Sequence, residues 1–252
     1  MASEHQARVL DQFTRQAVPF ATAPSIRNPE ALNRIVQISG GGPSDNVLDV
    51  ACGPGLLVCA FARVVRHATG IDLTPAMLDQ ARALADQEGL NNVTWQQGDV
   101  LPLPYDDGQF SIVSARFAFH HFPDPLAVLK EMRRVRRTGG RIVVADSAPA
   151  HDKADAFNAM ELLRDPSHVR AMPLEELRQL FADADLDQPR IDHYRVEGEL
   201  EGLLERSFPN EGDGDCVRRL FEESLETDAL DMATRRRNGK IYFGYPVAIL
   251  TS

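Results

Sequence analysis

Four aspartates and two glycines stand in or just after short apolar runs of this sequence. Asn46-Val-Leu-Asp-Val-Ala51 runs into Cys52-Gly-Pro-Gly55, and Ala68-Thr-Gly-Ile-Asp72 ends on an acid. Val93-Thr-Trp-Gln-Gln97 leads into Gly98-Asp99, and Arg141-Ile-Val-Val-Ala-Asp146 ends on another acid. Gly53 and Gly55 let the backbone turn sharply and lie against a ligand with no Cβ in the way. A carboxylate such as Asp49 pairs with a cationic group, and one such as Asp72 accepts two hydrogen bonds from ribose hydroxyls. A dinucleotide turn wants G-x-G-x-x-G, but its third glycine position is Val58 here, and Asp49 sets a negative charge close to where a pyrophosphate would lie. The adjacent His120 and His121 are the next titratable pair. A neutral imidazole can take a proton from a hydroxyl near neutral pH. Sequence neighbours point in different directions, so at most one of the two is expected to face a site.

These residues need elements to position them. From residue 45 to 148, apolar runs alternate with helical patterns, as βαβ units around a parallel sheet do. Strands are expected at 46–51, 68–72, 93–97, 110–115 and 141–146. Helices are expected from Leu56 to Ala68, from Pro75 to about Glu88 behind a Thr74 cap, and from Pro123 to Arg137, closed by Gly139-Gly140. Ligands of such sheets bind beyond the carboxyl ends of the strands, where the aspartates lie. Later segments read as helices over 153–163, 173–185 and 215–226 and strands over 190–196 and 240–251, with 163–174 as an inserted loop. Val9, Leu10, Phe13, Val18 and Phe20 suggest an amphipathic leading helix that packs as a lid.

The 252 residues are 43% apolar, enough to bury a sizeable core, and 37 acidic against 27 basic residues give a net charge of −10. Such a surface repels phosphate backbones and anionic lipid. The arginines at 133, 134, 136 and 137 and the run Arg235-Arg-Arg237 read as a solvated helix end and a pre-strand loop. Cys52, Cys59 and Cys216 match neither a redox pair nor a zinc knuckle, so no metal is expected. The opening Met-Ala-Ser-Glu-His-Gln carries no basic region followed by an apolar one, and the cytoplasm is the expected compartment.

A ligand with a cationic amino-acid arm, a ribose and no phosphates fits the strand-end acids, and S-adenosylmethionine is such a ligand. The sequence here resembles the class I S-adenosylmethionine-dependent methyltransferases, in particular the small-molecule group similar to the quinone-biosynthesis enzymes. Val47-Leu-Asp-Val-Ala-Cys-Gly-Pro-Gly55, Gly70-Ile-Asp72 with Pro75 and Met77, and Gly98-Asp-Val-Leu-Pro-Leu-Pro104 carry the first half of the resemblance. Phe110 to Ala115, His120-His-Phe-Pro-Asp124 and Gly139-Gly-Arg-Ile-Val143 carry the rest, in order over residues 45–148.

The resemblance implies a Rossmann-like, doubly wound α/β fold with a seven-stranded sheet and a final antiparallel strand. It implies one methyltransferase domain over 1–252: a helical lid in 1–30, a cofactor-binding core in 45–148 and a substrate-side insertion in 150–188. Asp49 and the backbone of Gly53 and Gly55 would face the methionine part. Asp72 would hold the ribose, Leu73 and Met77 would flank the adenine, Asp99 would meet its amino group beside Val100, and Arg116 and Phe117 would line the sulfonium end. Strands four and five are neighbours in this family, which brings His120 near Asp146. Similar sugar O-methyltransferases use such a pair as a base and its orienting acid. Arg164 and His168 in the insertion are candidate substrate contacts. The expected activity is methyl transfer to an oxygen, nitrogen or carbon of a small-molecule acceptor. A cofactor-binding regulator without turnover, and a nicotinamide oxidoreductase, are the competing readings.

Overall fold

The computed structural model describes residues 4–252, so the first three residues of the opening segment read for a secretion signal lie outside the described residues. The sheet is built on β1 (Asn46–Val50), β2 (His67–Asp72), β3 (Val93–Gln97), β4 (Phe110–Arg116) and β5 (Arg136–Ser147), all mutually parallel. It continues through β6 (Arg190–Glu199), β7 (Arg235–Arg237) and β8 (Lys240–Thr251). The order is β3-β2-β1-β4-β5-β8-β6, and β8 runs antiparallel to both β5 and β6. The Rossmann-like sheet with its closing antiparallel strand is therefore present, with one correction. The sheet has eight strands rather than seven, because Arg235–Arg237 is not a loop but folds back on β8. Asn238 (φ +50°) and Gly239 (φ +75°) make the turn, the left-handed pair that suits a two-residue hairpin.

Helices cover both faces, which is why the inner strands read as apolar runs rather than as alternation. On one face α2 (Pro29–Ser39), α3 (Leu56–Ala62) and α4 (Pro75–Gln87) bury Ile35, Phe61 and Leu78; on the other α5 (Pro125–Val135) and α7 (Leu174–Asp183) bury Leu129, Met132 and Phe181. Each such side chain contributes roughly 1.5–3 kcal/mol by leaving water. A third cluster, around Phe157, Met160, Phe221 and Phe243, joins α6 (Ala154–Arg164), α8 (Leu200–Ser207) and α9 (Asp213–Thr227) to β8.

Some boundaries differ from the sequence reading, each for a local reason. Helix α3 stops at Ala62, not Ala68, because the Asn92 side chain donates to the free carbonyls of Ala62 (2.8 Å) and Val65 (3.2 Å). Helix α5 stops at Val135, and Gly139-Gly140 belong to β5 instead of closing the helix. There β4 pairs Phe110 with Arg136 and Ile112 with Arg141, so residues 137–140 bulge out of the ladder. Thr74 precedes α4 without a side-chain cap; its amide donates instead to Asp72 Oδ1 at 2.8 Å. Helices α2 and α8 were not anticipated. Asn28 caps the first and Glu199 the second, each accepting from backbone amides.

The leading helix α1 (Glu4–Thr22) forms and lies across the carboxyl ends of the strands. Its fully buried residues are Gln12, Gln16, Ala17 and Ala21, while Val18 faces solvent at 56% exposure. The glutamines bind tertiary partners: Gln12 Nε2 donates to the Ser207 carbonyl, and Gln16 Nε2 reaches Asp165 Oδ2 and the Ser207 carbonyl, each at 3.3 Å. No helix among the described residues is long and apolar enough to cross a membrane.

Candidate active site

Beyond the ends of β1, β2 and β4, and under α1, lies a cavity of about 330 Å³. The turn after β1 forms its floor through a run of left-handed residues, Ala51 (φ +52°), Gly53 (φ +52°) and Gly55 (φ +74°). Every residue expected to hold the cofactor lines it except Gly55: Asp49, Gly53, Asp72, Leu73, Met77, Asp99, Val100, Arg116 and Phe117. A Cβ on Gly53 would project into nearly open space, 4.0 Å from Met77 Sδ, so that backbone is free to approach a ligand. Gly55 is glycine for another reason. A Cβ there would sit 2.5 Å from the Trp95 ring and 2.8 Å from Ala81, so it packs the turn onto β3 and α4.

The acids differ in charge and in commitment. Burial pushes the Asp49 carboxyl up to about 7, although Ser114 Oγ donates to it at 2.6 Å and Arg116 lies nearby. Asp72 is also raised by burial, while its oxygens accept from the amides of Gly53 (2.7 Å) and Thr74 (2.8 Å). Four lone-pair sites on a carboxylate leave it free to accept further donors. Asp99 accepts from the Val100 amide at 2.6 Å and from the side chain of Gln6, tying α1 to the rim of the cavity. Arg116 donates from Nη2 to the Ile26 carbonyl at 3.0 Å and stands 4.4 Å over the Phe117 ring; its Nε is buried without a hydrogen-bond partner.

A second, smaller cavity of about 110 Å³ shares Phe13, Phe20, Phe117 and His121 with the first. His120 lines it and Asp146 stands directly behind, with His120 Nδ1 and Asp146 Oδ1 at 2.5 Å. Burial alone would lower the imidazole and raise the carboxyl. Their mutual attraction outweighs it, so His120 lies above and Asp146 below its usual value. Amides of Ala118 (3.0 Å), Phe119 (2.8 Å) and Ser147 (2.7 Å) fix the carboxylate. The carbonyl of His120 accepts from Val169 (2.8 Å) and Arg170 (3.0 Å), binding this short turn to the 165–173 loop.

His121 lines both cavities; burial and the neighbouring His120 push it down to about 4, and Nδ1 donates to the Ser167 carbonyl at 3.0 Å. Of the two candidate substrate contacts in the insertion, Arg164 lines the smaller cavity, but Glu161 claims its guanidinium at 2.6 and 3.0 Å. His168 lines neither; it packs beside His120 with ring centroids 5.6 Å apart and bonds Asn158 Oδ1 at 2.7 Å. Sequence reasoning missed Gln16, Glu161, Tyr245 and Arg206, which line the smaller cavity from four different helices and strands. Tyr245 donates to Glu161 Oε1 at 2.6 Å. Only the chain's path through space brings those four together, so no local pattern announces them. Among the described residues no cluster of three or more metal-ligating side chains occurs.

Residues 48–144 match the profile of the methyltransferase domain family. An uncharacterized methyltransferase of Bacillus subtilis, YcgJ, is 29% identical over 90% of this chain and 91% of its own length. The uncharacterized protein YafE of Escherichia coli is 32% identical over 66% of this chain and 81% of its own. The crystal structure of a putative methyltransferase from Bacillus halodurans superposes with a TM-score of 0.79 at 28% identity, covering 88% of this chain and 97% of that one. The donor set fits the cofactor of that family: an acid and an arginine with an unpartnered buried nitrogen where an amino-acid arm carries both charges, and a second acid at the end of β2 for a diol. With this cavity, sheet order and likeness together, the chain belongs to the class I S-adenosylmethionine-dependent methyltransferases and uses S-adenosylmethionine as its cofactor.

Proposed function

We propose that the protein methylates a hydroxyl oxygen of a small molecule held in the smaller cavity, with His120 as general base and Asp146 as the group that orients it. The observation that carries this reading is the 2.5 Å contact between His120 Nδ1 and Asp146 Oδ1. That bond occupies Nδ1, so on a residue that lines the cavity Nε2 is the nitrogen left to act as base. When bound, S-adenosylmethionine supplies an electrophilic methyl group on a sulfonium. The chain's own task is then alignment and dryness. Asp49 and Arg116 would hold the two charges of the amino-acid arm, Asp72 the ribose, and Leu73, Met77, Asp99 and Val100 the adenine. Phe13, Phe20 and Phe117, shared by both cavities, would exclude water where the reacting atoms meet. His120 Nε2 would take the proton of the acceptor hydroxyl as that oxygen accepts the methyl group, for which a bound sulfonium would be a donor that leaves as a neutral thioether. Residues 1–252 act as one domain in this reading, with α1 as the lid and the 150–188 insertion on the acceptor side.

His120→Ala is expected to lower turnover with a hydroxyl acceptor about a hundredfold or more while leaving S-adenosylmethionine affinity within about twofold of wild type. Unchanged turnover would remove His120 from the chemistry. Equal loss of cofactor affinity would make it a structural residue.

A further inference from the structure

The smaller cavity contains one charge without a partner. Arg164 is paired with Glu161 (2.6 Å), Asp165 accepts from Ser167 Oγ (2.5 Å) and Gln16 (3.3 Å), and His120 is paired with Asp146. Arg206, on the last turn of α8, makes no hydrogen bond or ion pair with any described residue, although it lines this cavity and is half-buried. The acids nearest it in sequence, Glu205 and Glu199, attract it through space but form no ion pair with it. Glu199 spends its carboxylate on the Glu201 (3.1 Å) and Gly202 (3.3 Å) amides, and Glu205 is exposed. Tyr245 offers no compensation, because its hydroxyl already donates to Glu161. Val196, Leu203 and Phe243 supply apolar wall to the same cavity.

A guanidinium withdrawn from water without a counter-ion costs free energy that a bound anion recovers. Its planar fork matches a carboxylate through two parallel N–H···O bonds. The apolar side chains that share this cavity of about 110 Å³ with Arg206, Val196, Leu203 and Phe243 among them, suit a flat monoanion on an apolar body. We propose that the methyl acceptor is an apolar molecule bearing a carboxylate, and that Arg206 binds this carboxylate and so selects acids over neutral analogues. Partial burial, which lowers the Arg206 guanidinium from its usual value, is the same unfavourable desolvation seen from the titration side. The inference rests on the smaller cavity being the acceptor site.

The test uses matched pairs of ring-hydroxylated aromatic acids and their carboxamides, titrated calorimetrically into the full-length protein loaded with S-adenosylhomocysteine. Expected is binding of acids at least tenfold tighter than of the matching amides. Arg206→Gln should abolish that preference by weakening the acids alone, Arg206→Lys should keep part of it, and both should bind S-adenosylhomocysteine as wild type does, which shows that they fold. Equal affinity for acid and amide throughout the set, absence of binding included, overturns the proposal, as does a preference that survives in Arg206→Gln. Failure of the base is separate. Acids that bind through Arg206 but are methylated equally fast by His120→Ala would refute His120 as base and leave Arg206 standing.

Discussion

At the scale of single residues, the proposed cofactor site holds one carboxylate, Asp49, whose charge changes near neutral pH. Asp49 is held up to about 7 by burial, and a cationic amino group favours its ionised form. Below that pH the carboxyl is neutral and the ion pair must first expel a proton; above it the pair forms directly. S-adenosylmethionine affinity is therefore expected to fall by up to about tenfold per unit as pH drops below about 7, with proton release visible as a dependence of binding enthalpy on buffer. Asp49→Asn should flatten this profile. His120 gives a second sign. Asp146 holds it protonated above the usual histidine value, so a base must lose that proton first. The rate with a hydroxyl acceptor is expected to rise with pH through an apparent value above 6.5. The rise should be absent in His120→Ala. These acids were legible in the sequence because strand ends are local features and position alone makes them candidates. Gly55 reads as a turn residue whose backbone faces the ligand, yet it does not line the cavity. Its contact with Trp95, one element away in the sheet, is a packing fact that no spacing encodes. Gly55→Ala, strained at φ +74° and overlapping the indole, is expected to destabilise the fold by roughly 1–3 kcal/mol in urea titration, with the chain's single tryptophan as a fluorescence reporter.

At the scale of elements, α1 links the two cavities to the rest of the molecule. His5 Nε2 lies 2.8 Å from the His121 carbonyl, Phe13 meets the His121 ring edge-on at 4.9 Å, and Gln12 and Gln16 reach Ser207 at the end of α8. The amphipathic pattern announced this helix, and its apolar residues Val9, Phe13 and Phe20 do line the larger cavity. The buried glutamines were not legible, since a glutamine reads as solvent-facing until a distant carbonyl is known to face it. Replacing both Gln12 and Gln16 by alanine removes donors from buried acceptors, each loss costing about 1–3 kcal/mol. The expected result is faster amide exchange in α1 with the sheet unchanged, and faster cofactor release in stopped flow. Unaltered exchange in α1 would mean that the helix is held by its apolar contacts alone. The Arg235–Arg237 strand, like α2 and α8, is an element that sequence reading passed over. Asn238-Gly239 is a hairpin turn signal, and three arginines drew attention to charge instead.

At the scale of the whole molecule, residues 45–148 form the βαβ frame that places Asp49, Asp72 and Asp146 toward the carboxyl ends of β1, β2 and β5, and the later segments build the smaller cavity beside it. The frame was readable because parallel strands and their helices repeat short patterns. The smaller cavity was not, because its lining is drawn from α1, α6, α8, β6 and β8 among others, whose meeting depends on the antiparallel register of β8 against β5 and β6. The central claim, that the strand-end acids hold the cofactor, is tested most directly by calorimetric titration of S-adenosylmethionine into wild type, Asp72→Asn and Asp72→Ala, with NADH as a control. Expected is binding of S-adenosylmethionine alone, weakened by about 1–3 kcal/mol in Asp72→Ala and by less in Asp72→Asn. Equal affinity in all three proteins, or a preference for NADH, would contradict it.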